Sequence, residues 1–134
     1  MAAWQADFHV LVPTQELPSD YRAQLDSVLP AGRSWSDAIE MWGSSDGDRI
    51  DVSSEPGARP EIFARFDLRQ WDQDLHRRFV SFVLAIGGAL QTDDGRLVGL
   101  TLSEFEAALR SSRAARFVAD PGQFLEGLPR ERQP

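Results

Sequence analysis

The sequence predicts an α+β domain, a largely antiparallel sheet with helices packed on one face. Three observations carry this. Residues 4–12 and 61–69 alternate apolar and polar side chains with a period of two, as half-buried strands do. Residues 72–86 repeat with helical period instead. The whole chain reads β-α-β-β-β-α-β-β-α-α, and alternating rather than continuously apolar strands favour an antiparallel sheet over a doubly wound parallel one. The first five elements and the next strand fit a decorated ferredoxin-like arrangement. At 134 residues and 42% hydrophobic content, the chain has the length and composition of one domain with a real core, 1–134, with a polar, frayed end at 129–134.

In the first strand, Trp4, Ala6, Phe8, Val10 and Val12 share one face, Gln5, Asp7 and His9 share the other, and Pro13 ends it. A short helix follows with Tyr21, Leu25, Val28 and Leu29 inward, capped by Ser19 or Asp20 and stopped by Pro30 and Gly32. Residues 35–55 read as a hairpin around Ser44-Ser45-Asp46-Gly47, with Gly47 the candidate for positive φ. A rival reading makes 35–42 a helical turn, because Ile39 and Trp42 lie three apart. Residues 56–60 form a loop. The strand at 61–69 points Ile62, Ala64, Phe66 and Leu68 one way and Phe63, Arg65, Asp67 and Arg69 the other.

Asp72 is the expected N-cap of the longest helix, whose stripe is Leu75, Phe79, Phe82, Val83 and Ile86, ended by Gly87-Gly88. A tight hairpin with an Asp94-Gly95 turn comes next. Thr101 and Glu104 have capping-box spacing, and Leu102, Phe105, Ala108 and Leu109 form the buried face. A break near 112–113 precedes RAARFVA, and Asp120-Pro121 begins a further short helix. Phe117, Val118, Phe124, Leu125 and Leu128 are expected to pack inward. The predicted core comprises Phe8, Val10, Ile62, Phe66, Leu68, Phe79, Phe82, Val83, Phe105 and Leu109.

Inventory excludes several chemistries. With no Cys there is no disulfide, zinc-thiolate site or cysteine nucleophile. There is no G-x-S-x-G elbow, and nothing places the two histidines, His9 and His76, together. Gly87-Gly88 follows a helix, where the partial charge repels phosphate, and a chain without Lys has no P-loop lysine. Asp46, Asp48 and Asp51 crowd a turn, but the twelve-residue calcium-loop pattern is missing and Arg49 offsets the charge, so no metal and no cofactor is expected. No spacing singles out a catalytic carboxylate pair. No apolar run approaches a membrane span, no leader is visible at the start of the sequence, and a cytoplasmic setting is expected.

Charge bears on partners. The formal net charge is -7, and all 14 basic residues are Arg, a usage that reads as coding bias of a GC-rich bacterial genome. Such a chain is repelled by phosphate backbones and anionic lipid, so neither nucleic acid nor membrane is an expected partner, whereas a basic protein is. The surplus acid also simply keeps a small protein soluble. The remaining feature is the second face of the sheet, which shows His9, Phe63, Arg65, Asp67 and Arg69, joined by Trp42 or Met41 according to register. Aromatic and Arg residues on an open face have the composition of a binding surface. The candidate contacts are therefore Trp42, Phe63, Arg65, Asp67 and Arg69, with Glu40, Asp46, Asp48 and Asp51 steering a basic partner. If a helix covers that face instead, Phe63 is core.

The segments RFDLR (65–69), helix, Gly-containing hairpin, then LRSSRAARFVADPGQFL (109–125) resemble small bacterial α+β proteins of the toxin-immunity kind, some encoded beside secreted toxins. The likeness spans roughly residues 61–128. It implies a protein-binding role and carries over no individual binding residue. Two function classes stand at this point. One is a protein-binding domain, immunity-like or adaptor-like, with self-association open to it. The other is a small enzyme or ligand-binding protein with a His/carboxylate site, for which a cleft holding His9 or His76 with two carboxylates is the mark.

Overall fold

Period-two alternation becomes one six-stranded sheet in the computed structural model, which describes residues 3–32, 36–55 and 57–120. The elements are β1 (Gln5–Leu11), α1 (Tyr21–Asp26), β2 (Ile39–Gly43), β3 (Arg49–Ser53), β4 (Glu61–Asp67), α2 (Gln73–Ala85), β5 (Ala89–Thr92), β6 (Leu97–Val98), α3 (Leu102–Arg110) and α4 (Arg113–Ala119). The strand order is β2-β3-β4-β1-β5-β6, and every neighbouring pair is antiparallel. β1 and β3 therefore run parallel with β4 inserted between them. That is the split βαβ of a βαββαβ core, to which β2 and β6 each add an edge strand.

The even-numbered residues of β1, β3 and β4 are buried: Ala6, Phe8, Val10, Ile50, Val52, Ile62, Ala64 and Phe66. The helices cover this face. Phe66 meets Phe79 of α2 at 5.0 Å and Phe105 of α3 at 5.2 Å between ring centroids, and Phe8 meets Phe105 at 5.1 Å. Edge-on contacts of this kind add to the area term. α1 covers the β2 end through Tyr21 and Leu25, and α4 closes the β1 side with Ala114. All ten residues predicted for the core are buried.

Local signals behave as their chemistry requires. The Asp72 carboxylate accepts from the Leu75 N–H at 3.1 Å, Thr101 Oγ1 from the Glu104 N–H at 3.1 Å, and Ser112 Oγ from the Ala115 N–H at 3.1 Å. Ser112 is thus the break between α3 and α4. Asp20 occupies the N-cap of α1 without a capping bond; its carboxylate accepts from the Gln24 side chain instead. Residues 39–43 are strand, paired with β3 as the hairpin reading has it, and the rival helical turn does not form there. One expectation is corrected. The positive φ in that hairpin belongs to Gly43 at 88°, not to Gly47, because Ser44 must turn to donate to the Asp48 carbonyl. Asp120 ends α4; the helix expected from Pro121, with Phe124, Leu125, Leu128 and the tail, lies outside the described residues. Phe117 and Val118 are half-buried.

Candidate interaction surface

No described element crosses the second face of the sheet. Its geometry follows from one hydrogen bond. The Leu68 N–H donates to the Trp4 carbonyl at 3.0 Å, which makes 4 and 68 a hydrogen-bonded pair at the end of β1 and β4. Pairs alternate in type along an antiparallel ladder, so His9 and Phe63 fall on a non-hydrogen-bonded position, where side chains stand closest. Their rings accordingly stack at 4.8 Å between centroids and 10° from parallel. Successive registers extend this row across all six strands: Leu97, Gln91, His9, Phe63, Asp51, Met41. Phe63 is 46% exposed at the middle of the sheet and Leu97 is 73% exposed at its edge. Leu11, exposed, and Ile39, half-buried, lie on the same face in the next row.

The opposite flank of the stack is charged but internally balanced. Arg65 Nε donates to Asp7 Oδ1 at 3.1 Å. Arg49 holds Asp51 with both prongs, Nε to Oδ1 at 2.9 Å and Nη2 to Oδ2 at 2.8 Å. Arg49 and Arg65 are register partners, so two like charges sit side by side, each drawn to its own carboxylate. Burial pushes the Asp7 carboxyl above its ordinary value, and the Arg65 charge only partly offsets that.

The remaining site residues sort differently from the expectation. Trp42 is 3% exposed on the helix face, packed against Tyr21, with its Nε1 donating to Asp26 Oδ1 at 2.9 Å; Met41 takes the open-face position. Glu40 is on that helix side too, accepting from the Tyr21 hydroxyl and from Arg22 Nε at 2.7 Å. The Arg22 hydrogen bond holds the Glu40 carboxyl below its ordinary value, while burial and the Glu40 hydrogen bond push the Tyr21 phenol up to about 12. Asp67 is 5% exposed and is held by Arg69 through Nε at 3.0 Å and Nη2 at 2.9 Å, which lowers its carboxyl. Arg69 in turn lies over the Trp4 ring at 4.0 Å. Asp48 Oδ1 accepts from the Asp67 N–H at 2.8 Å, and burial raises its carboxyl. Of the four acids expected to steer a partner, Glu40, Asp48 and Asp51 are thus engaged within the fold, and Asp46 is exposed.

One polar cluster escaped the sequence reading. His76 of α2 is 1% exposed, and its Nδ1 lies 2.8 Å from Glu106 Oε2 of α3. Gln73 donates to Glu106 Oε1 at 3.1 Å, and Trp71 closes over the imidazole, edge-on at 4.8 Å, beneath Arg110. The only signal was spacing: Glu106 follows the buried Phe105, at the rim of the α3 stripe. Both side chains of the pair are buried. A groove of about 620 Å³ between β1, the β5–β6 turn and the α3–α4 corner holds neither histidine. Among the described residues no group of acids and histidines is arranged to hold a metal ion, and no helix is long and apolar enough to cross a membrane. No family model, curated protein or solved structure matches the chain.

Proposed function

We propose that this chain is a protein-binding domain whose working surface is the open sheet face, centred on Phe63 and His9. The exposure of Phe63 carries the reading. A phenylalanine, 46% exposed in a central strand and sharing its face with Met41, Leu11 and Leu97, costs solvation that a partner's surface recovers. The charge favours protein over nucleic acid, because the chain carries a net charge of -7 and the guanidiniums on this face stand beside the carboxylates of Asp7 and Asp51. The setting in this proposal is the cytoplasm, and blocking a cognate toxin is the immunity-like form of the role. The test is a photo-reactive phenylalanine analogue at position 63 in the native host, with position 84, on the outer side of α2, as the control. Protein adducts from 63 and none from 84 support the reading; a silent position 63 sinks it.

A further inference from the structure

We infer that the partner of the open face is a second copy of this chain, packed sheet on sheet about a two-fold axis along the β1–β4 seam. This rests on the reading of that face as a protein-docking surface. A two-fold interface requires one patch to be complementary to itself. The strand order meets that requirement. With β4 and β1 third and fourth of six, an axis between them lays β4 on β1 of the second copy, β3 on β5 and β2 on β6.

The residue rows then match in chemistry. His9 falls on Phe63 of the second copy, joining two stacked pairs into one aromatic cluster. Leu97, 73% exposed on β6, falls on Met41 of β2, and Gln91 falls on Asp51. Asp7 falls on Arg65, and each such charge pair occurs twice. Arg65 has the capacity for this: it gives Nε to its own Asp7, and its Nη groups donate to nothing among the described residues. Aligned sheets cross at about 30°, so matching is tightest at the central strands, where the aromatic and charged pairs lie.

Area sets the strength. Six strands of about five residues offer roughly 500 Å² of face. That falls below the ~800 Å² per partner of a standard interface, so the dimer is expected to be concentration-dependent, in the micromolar range or weaker.

Sedimentation equilibrium on the full chain, from about 1 μM to about 1 mM, reads this directly. The mass is expected to rise from one copy to two. Asp7→Arg alone and Arg65→Asp alone should each sediment as monomer, and their equimolar mixture should dimerise again. Within a chain each variant sets like charges together, and mixing leaves that unchanged, so recovery reports only the contact between copies. If either variant melts early, Leu97→Arg, at an exposed edge, replaces the pair and should weaken dimerisation about tenfold or more. A monomer throughout the range overturns the second copy as partner, while adducts from position 63 would still uphold the docking surface. A dimer undiminished by Leu97→Arg and Phe63→Asp lies elsewhere and also overturns the inference.

Discussion

His9 and Phe63 face each other across the central β1–β4 ladder, rings 4.8 Å apart and 10° from parallel, on the side of the sheet opposite the helices. Three positions along the strand, Phe66 points the other way and is fully buried among Phe8, Phe79 and Phe105. The same residue type therefore has two different jobs in one strand, separated by the pleat.

Replacing each phenylalanine separates those jobs. Phe66→Ala should cost about 3–5 kcal/mol, because a closely packed aromatic cluster does not collapse into the void. Phe63→Ala should cost less than about 1 kcal/mol, the worth of a cross-strand pair on a wet face. Urea unfolding of both variants checks this, and equal losses would mean that the open face is in fact covered.

Glu106→Ala should destabilise by about 3–5 kcal/mol, since it strands a buried imidazole whose partner has gone. Denaturant midpoints measure it. A loss below 1 kcal/mol would show that the His76 contact is solvated in solution.

The same pair predicts a pH dependence. Burial pushes the Glu106 carboxyl up, but the hydrogen bonds from His76 and Gln73, with the His76 and Arg110 charges, outweigh it, and the net direction is down. The unfolded chain then takes up the proton at higher pH than the folded one. The contribution is complete above the ordinary glutamate value of 4.5 and is lost as pH falls through the lowered folded value. The stability gap between the native chain and Glu106→Gln should accordingly narrow from pH 6 to pH 3, read from urea titrations at each pH. A gap constant over that range would contradict the assignment.

Gly43→Ala should cost about 1–3 kcal/mol, as a non-glycine residue forced to positive φ. At φ 88° the added Cβ would lie 2.1 Å from the Asp48 carbonyl oxygen, so the hairpin must shift. Gly47→Ala should cost much less: its added Cβ meets only a serine hydroxyl, at 2.7 Å. Thermal melts of the two variants distinguish them.

The core was legible because each element carries its own phase: Ile62, Ala64 and Phe66 announce a strand face, and Leu75, Phe79 and Phe82 a helical stripe. The open face was legible for the same reason, as the complement of the buried phase, which placed His9, Phe63 and Arg65 together. What period alone does not give is register and side-chain pairing. Trp42 and Met41 are adjacent and both large, and only the pairing of Trp42 with Ile50 decides which one goes inside. The acids Glu40, Asp48 and Asp51 read as free to steer a partner, because their partners Tyr21, Asp67 and Arg49 are selected by folding, the first two from distant segments. His76 and Glu106 lie 30 residues apart, and no local pattern links them.

Hydroxyl-radical footprinting tests the central claim most directly, because it reads the exposure of individual side chains with and without a partner. In dilute protein, Phe63, Met41 and Leu97 should be oxidised while Phe66 and Trp42 are spared. At high concentration, or with a captured partner, protection should appear at Phe63, Met41 and Leu97 and leave Leu84 on α2 unchanged. Protection at Leu84 with Phe63 still oxidised would contradict the account.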